Sequence, residues 1–169
     1  MTIPFGARTG ALAGLTALAL VAQAEAATPA SLSRSVEVAG RPAAVWAKIG
    51  SFCAIADWHP AIATCAADGK TPPTRTLTTK DHARFVELET ARDGAAHSYS
   101  YTFVSSPVPV THYSSTFSVK ANGHGGSTVT WRGAYRPNPG AEQAAQGALS
   151  GIYESGLAAI KTRLASAAN

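Results

Sequence analysis

The sequence predicts an α+β fold: a curved antiparallel sheet of seven strands wrapped around a long C-terminal helix, with two short helices after the first strand. Three observations predict it. Between Ile62 and Arg136, runs of alternating apolar and polar residues are separated by Gly, Pro, Asn and Asp, the pattern of consecutive hairpins. Leu149, Ile152, Tyr153, Leu157, Ile160 and Leu164 then recur at helical spacing. Upstream, one alternating run is followed by Val45, Trp46 and Ile49, which share a helical face.

The first strand is read at Leu32–Ala39, where Leu32, Arg34, Val36 and Val38 point one way. Gly40-Arg41-Pro42 ends it, and Pro42 suits the first turn of a helix. Gly50-Ser51 breaks that helix, and a second short one runs to Asp57 or Trp58. Strands follow at Ile62–Ala67, Arg75–Thr79, Phe85–Glu89, Ser98–Phe103, His112–Lys120 and Ser127–Arg136. Asp68-Gly69 with Pro72-Pro73, then Lys80-Asp81-His82, Arg92-Asp93-Gly94 and Asn122 to Gly126 supply turns, and Ser105 to Pro109 a stiff loop. Asn138-Pro139-Gly140 opens the final helix, which ends near Ala165. Gly147 and Gly151 sit one turn apart within it, each costing about 1 kcal/mol relative to Ala. Two explanations stand: space beneath the helix, or close packing against the sheet.

Composition narrows the function. The net charge is +4, but the basic residues are scattered and form no run or helical stripe, so the chain has no nucleic-acid footprint. Residues 1–26 read as a secretory signal peptide: Arg8, then the uncharged stretch Ala11–Ala22, then small residues at Ala24 and Ala26. That stretch is too short to span a bilayer, which takes about 20 residues, and no later segment qualifies as transmembrane. Residues 27–169 are expected to form a single domain in the periplasm or secreted medium. Cys53 and Cys65 are the only cysteines, and export favours a disulfide closing a short loop around Trp58-His59-Pro60; two buried thiols are the other reading.

Parity sorts the site. Tyr99, Tyr101 and Phe103 share one strand face, and Tyr113, Ser115, Phe117 and Trp131 follow the same alternation. If that face looks toward the helix and its Tyr153, it offers either a pocket for an apolar or aromatic ligand or an ordinary aromatic core. Glu87 shares the parity of Phe85 and Glu89, so its carboxylate needs a partner; His59 is the first choice and Arg75 the second. Glu89 is the candidate for a hydrated rim position. A His59–Glu87 pair suits acid–base chemistry, although no nucleophile or oxyanion motif accompanies it. His82, His97, His112 and His124 lack ligand spacing and read as surface histidines, so neither a metal nor a cofactor is expected. Pro107-Val108-Pro109 is either a gate over the cavity or a rigid connector.

Val45-Trp46, Phe52, Trp58-His59-Pro60, Tyr99-Ser100-Tyr101, Pro107-Val108-Pro109 and Tyr113-Ser114-Ser115 resemble the SRPBCC superfamily, which includes START domains, birch-pollen-allergen-like proteins and polyketide cyclase/dehydrase-like proteins. The resemblance covers roughly residues 32–165 and implies the helix-grip fold. It is strongest to exported, polyketide-cyclase-like bacterial members, among them an accessory protein of periplasmic methanol oxidation. A more local resemblance, over Trp58 to Cys65 and Val110 to Ser115, is to the plant abscisic-acid receptors. It implies pocket roles for Glu87, Tyr113 and Ser115, while His59 stands where those receptors carry a ligand-binding lysine. The expected function is an exported protein holding a small hydrophobic molecule between sheet and helix. The alternatives are a cyclase- or dehydratase-like enzyme using His59 and Glu87, and an accessory protein with a periplasmic oxidoreductase partner.

Overall fold

The computed structural model describes residues 28–166. The leader expected over residues 1–26 lies outside the described residues. The elements run β1 (Ala30–Val38), α1 (Pro42–Ile49), α2 (Ile55–Trp58), β2 (Ile62–Ala67), β3 (Thr74–Thr79), β4 (Arg84–Asp93), β5 (Ser98–Ser105), β6 (Val110–Ala121), β7 (Ser127–Pro137) and α3 (Glu142–Ser166). One seven-stranded antiparallel sheet results, ordered β1-β7-β6-β5-β4-β3-β2. This is the predicted helix-grip architecture. The two short helices carry the chain from β1 at one edge to β2 at the other.

Alternation fixes which face is inside. Along β7, Ser127, Val129, Trp131, Gly133, Tyr135 and Pro137 are buried, with less buried residues between them. The sheet buries that face against α3, whose Leu149, Tyr153, Leu157, Ile160 and Leu164 form the matching stripe. Arg34 follows the inward parity of β1 near the sheet edge and meets Glu154 of α3 at 2.6 Å.

The boundaries differ from the sequence reading where strands are irregular. β4 continues past Glu89 to Asp93 because a bulge lies between Glu89 and Ala91. β6 starts at Val110 with a second irregularity at His112, whose φ of 51° lies in the left-handed region. Asn138 to Ala141 form a turn, so α3 begins at Glu142 rather than at Asn138. Among the described residues no helix is long and apolar enough to cross a membrane.

Candidate functional site

The Trp-His-Pro corner is a local consequence of Pro60. A residue before proline is pushed out of the helical region. His59 accordingly adopts φ −84° and ψ 121° and terminates α2, its N–H still donating to the Ile55 carbonyl at 2.8 Å. The turn sends the imidazole inward, where it is 4% exposed. Ala61 N–H donates to Nδ1 at 3.2 Å, so Nδ1 is unprotonated and Nε2–H donates to the Ile152 carbonyl of α3 at 3.0 Å. Burial holds the His59 pKa below its ordinary value, against the opposing pull of the Ile152 carbonyl. The corner is stapled by a Cys53–Cys65 disulfide with a Cα–Cα distance of 5.5 Å.

Glu87 points inward from β4, as parity requires, but its partner is Arg75 rather than His59. The two residues are directly opposite on neighbouring strands. Arg75 Nε donates to Glu87 Oε2 at 2.6 Å, with the side chains 0% and 5% exposed. Arg75 Nη1 also donates to the Phe52 carbonyl, and the guanidinium lies 4.0 Å from the Phe52 ring centroid. Burial pushes the Glu87 pKa up, opposed by Arg75, while Glu87 helps to hold the Arg75 pKa above its usual range. The pairing was open to counting. With the hairpin centred on Asp81, Arg75 and Glu87 are equally distant from the turn on its two sides.

Glu89 is a second correction. It is buried, not at a hydrated rim, and Arg92 Nη2 reaches its Oε2 at 2.6 Å. Residues three apart on a regular strand face opposite ways; the bulge between them brings Arg92 back to the Glu89 side.

Tyrosine hydroxyls form a continuous chain across the sheet–helix interface. Ser115 Oγ lies 2.8 Å from the Arg132 carbonyl, which only accepts, so Ser115 donates there. Tyr153 must then donate to Ser115 at 3.0 Å, and Tyr113 to Tyr153 at 2.7 Å. Tyr101 follows, donating to Tyr113 at 3.3 Å. Trp131 Nε1–H feeds the row, lying 3.0 Å from the Tyr101 hydroxyl and 3.1 Å from Ser115 Oγ. Burial keeps these phenols protonated, pushing Tyr101 and Tyr113 well up and Tyr153 to about 12.

Between this wall and the His59 corner lies a mostly apolar cavity of about 60 Å³. His59, Glu87, Tyr101, Phe103, Tyr113 and Trp131 all line it. Tyr99, Ser115, Phe117 and Tyr153 do not: Phe117 stacks on Trp58 at 5.6 Å, Tyr153 stacks on Trp131 at 4.5 Å, and Tyr99 packs on Phe52 at 5.6 Å. The site residues named from sequence do not include the lining residues Ile55, Leu77, Thr79, Phe85, Leu149 and Ile152, which reach the cavity from four different elements.

The cavity adjoins a much larger open groove of about 660 Å³. His59, Ala61, Thr79, Phe85 and Ile152 line both. One groove wall is the loop Pro107-Val108-Pro109, and the other is the face of α3 carrying Ala144, Gly147, Ala148 and Gly151. A Cβ placed on Gly147 or Gly151 would meet nothing within 4 Å, so their missing side chains mark open space and not tight packing. The opposite holds at Gly156, where a Cβ would sit 2.7 Å from His59 Cδ2. Among the described residues, no group of three or more His, Cys, Asp or Glu side chains is placed to hold a metal ion. His82, His112 and His124 are exposed, and His97 is half-buried against Trp46.

Comparison with known proteins agrees with this geometry. The chain is similar to the protein XoxI of Bacillus cereus, at 29% identity and a TM-score of 0.78, over 83% of this chain and 99% of that one. It is also similar to a protein of Thermobifida fusca, at 28% identity and a TM-score of 0.72, over 79% and 92% of the two chains. Norcoclaurine synthase from Thalictrum flavum, 14% identical with a TM-score of 0.66 over 89% and 97%, shares the fold. No curated protein sequence matches. Residues 29–165 match the family described as polyketide cyclase / dehydrase and lipid transport, and the chain belongs to that family.

Proposed function

We propose that this protein binds a small, mainly apolar molecule between its sheet and α3, admitting it through the groove beside Pro107-Val108-Pro109. The observation that carries this reading is an apolar cavity that shares five lining residues with an open groove, along a helix face kept bare by Gly147 and Gly151. The inner part is small, about 60 Å³. Pockets for drug-sized ligands start near ~300 Å³, so most of the ligand lies in the groove. Native mass spectrometry of protein isolated unextracted from its own cells tests the reading. A co-purifying non-covalent mass is expected. Protein that is always empty and takes up no apolar compound in calorimetry overturns it.

Export belongs to the same proposal. The disulfide and the signal-like pattern of residues 1–26 support a periplasmic or secreted protein. N-terminal sequencing of the mature protein should begin at Ala27, and an intact Met1 terminus overturns it. A protein partner in the same compartment is proposed on the resemblance to exported accessory proteins, and crosslinking in intact cells tests it.

The cyclase- or dehydratase-like alternative needs His59 and Glu87 to act as a pair. Both line the cavity, but each is held by other partners: His59 by two backbone groups and Glu87 by Arg75. Ligand binding is the function this arrangement supports best.

A further inference from the structure

The polar groups around the cavity differ in how far they are already committed. His59 has both ring nitrogens engaged, donating to Ile152 and accepting from Ala61. Thr79 directs its hydroxyl to Asp81 and the Ala83 carbonyl. Tyr101, Tyr113 and Trp131 have their hydrogens committed to the one-way hydroxyl chain, and the phenol oxygens are neutral, weaker acceptors than a carboxylate. Glu87 differs. Oε2 accepts from Arg75, while Oε1 has no hydrogen bond among the described residues and belongs to a side chain lining the cavity.

Resting on the binding reading above, we infer that the ligand's inner end carries a hydrogen-bond donor, an alcohol, phenol or amine, that docks on Glu87 Oε1, and that molecules ending in a carboxylate are excluded. A carboxylate oxygen in an apolar cavity is a strong acceptor and is costly to leave unpaired. A donor completes its coordination. A ligand carboxylate instead brings a second negative charge beside it, in surroundings that screen poorly. The one cation close by does not offset this, because Arg75 does not line the cavity: Nε and Nη1 hold Glu87 and the Phe52 carbonyl, and the unpartnered Nη2 is buried outside the lining. The small inner volume adds a size limit. The inner part, about 60 Å³, takes the donor end, and the apolar body extends toward the groove.

Isothermal titration of the mature protein at pH 7.5 with three probes of equal chain length tests the inference: octan-1-ol, heptyl methyl ether and octanoate. The alcohol should bind about tenfold or more tightly than the ether, since a hydrogen bond to a charged acceptor is lost, and octanoate should bind most weakly. Equal affinity for all three, or preference for octanoate, overturns the inference and leaves the binding reading intact. Failure of all three to bind overturns both. The double variant Arg75→Met/Glu87→Leu supplies a folded control, because replacing a buried ion pair with apolar residues of similar volume is well tolerated. It should bind alcohol and ether equally; a retained preference for the alcohol places the acceptor elsewhere and refutes the role of Glu87.

Discussion

Arg75 and Glu87 face each other across the β3–β4 hairpin at 2.6 Å, shielded from bulk water and roofed by the Phe52 ring. An ion pair in that position is far more sensitive to loss of one member than to loss of both. The remaining charge has neither water nor a counter-ion, whereas an apolar replacement of the pair leaves only the neutral Phe52 carbonyl without its donor. Arg75→Ala or Glu87→Ala alone should therefore lower unfolding free energy by about 3–5 kcal/mol, and Arg75→Met/Glu87→Leu should cost less than either, chiefly the lost donor to the Phe52 carbonyl. Urea denaturation of the three variants checks this, and single and double variants of equal stability contradict it.

The glycines of α3 should separate by position. Gly151→Ala adds a methyl to open space and removes a poor helix former, so it should stabilise by about 1 kcal/mol. Gly156→Ala pushes a methyl against His59, Trp131 and Trp58 and should destabilise by roughly 1–3 kcal/mol. Thermal melts of the two proteins should shift in opposite directions. Gly151→Leu should keep the fold and weaken binding of octan-1-ol by filling the groove, which calorimetry reads directly.

The His59 contribution to stability should fall on mild acidification. Burial depresses the His59 pKa in the folded state below its unfolded value of about 6.5. Between the two values the unfolded chain binds the extra proton, so the stability present above about pH 6.5 is lost as pH falls through the folded value. Glu87 acts with the opposite sign, its raised folded pKa favouring the folded state at lower pH. Comparison with His59→Gln isolates the histidine contribution. Melting temperatures from pH 8 to pH 5 should drop less steeply in the variant, and parallel curves contradict the assignment.

Reduction of the Cys53–Cys65 bridge should destabilise the protein by roughly 2–3 kcal/mol, the loop-closure value for a crosslink spanning a sequence separation of 12. Denaturation midpoints of oxidised and of reduced, alkylated protein measure it. Cys53→Ser/Cys65→Ser should behave like the reduced form.

Tyr153 and Gly133 should be coupled. A Cβ on Gly133 would collide with the Tyr153 hydroxyl, so Gly133→Ala should be strongly destabilising alone and partly rescued by Tyr153→Phe. Tyr153→Phe alone removes a member of the hydroxyl chain and should cost about 1–3 kcal/mol. A double-mutant cycle reports the coupling, and strict additivity contradicts it.

The sequence was most legible where periodicity carries the information. The inward face of β7, from Val129 through Tyr135, and the stripe from Leu149 to Leu164 follow directly from spacing. Glu87 was placed inside by the same parity, and its cavity neighbours Tyr101, Phe103, Tyr113 and Trp131 with it. What escaped depends on register and on contacts between elements distant in sequence. Arg75 could be paired with Glu87 only by counting from the turn, and the Glu89–Arg92 contact depends on a bulge that no alternation announces. Gly147, Gly151 and Gly156 are alike in sequence; only the neighbouring elements make two of them groove and the third a contact.

Because the Arg132 carbonyl can only receive a hydrogen, the whole row from Tyr101 to Ser115 is polarised in a single sense. No guest can receive a hydrogen from one of those phenols without reorienting its successors down the line. That wall therefore has no spare donor for a guest, and it shares with the acidic side of the chamber a preference for molecules that give a hydrogen.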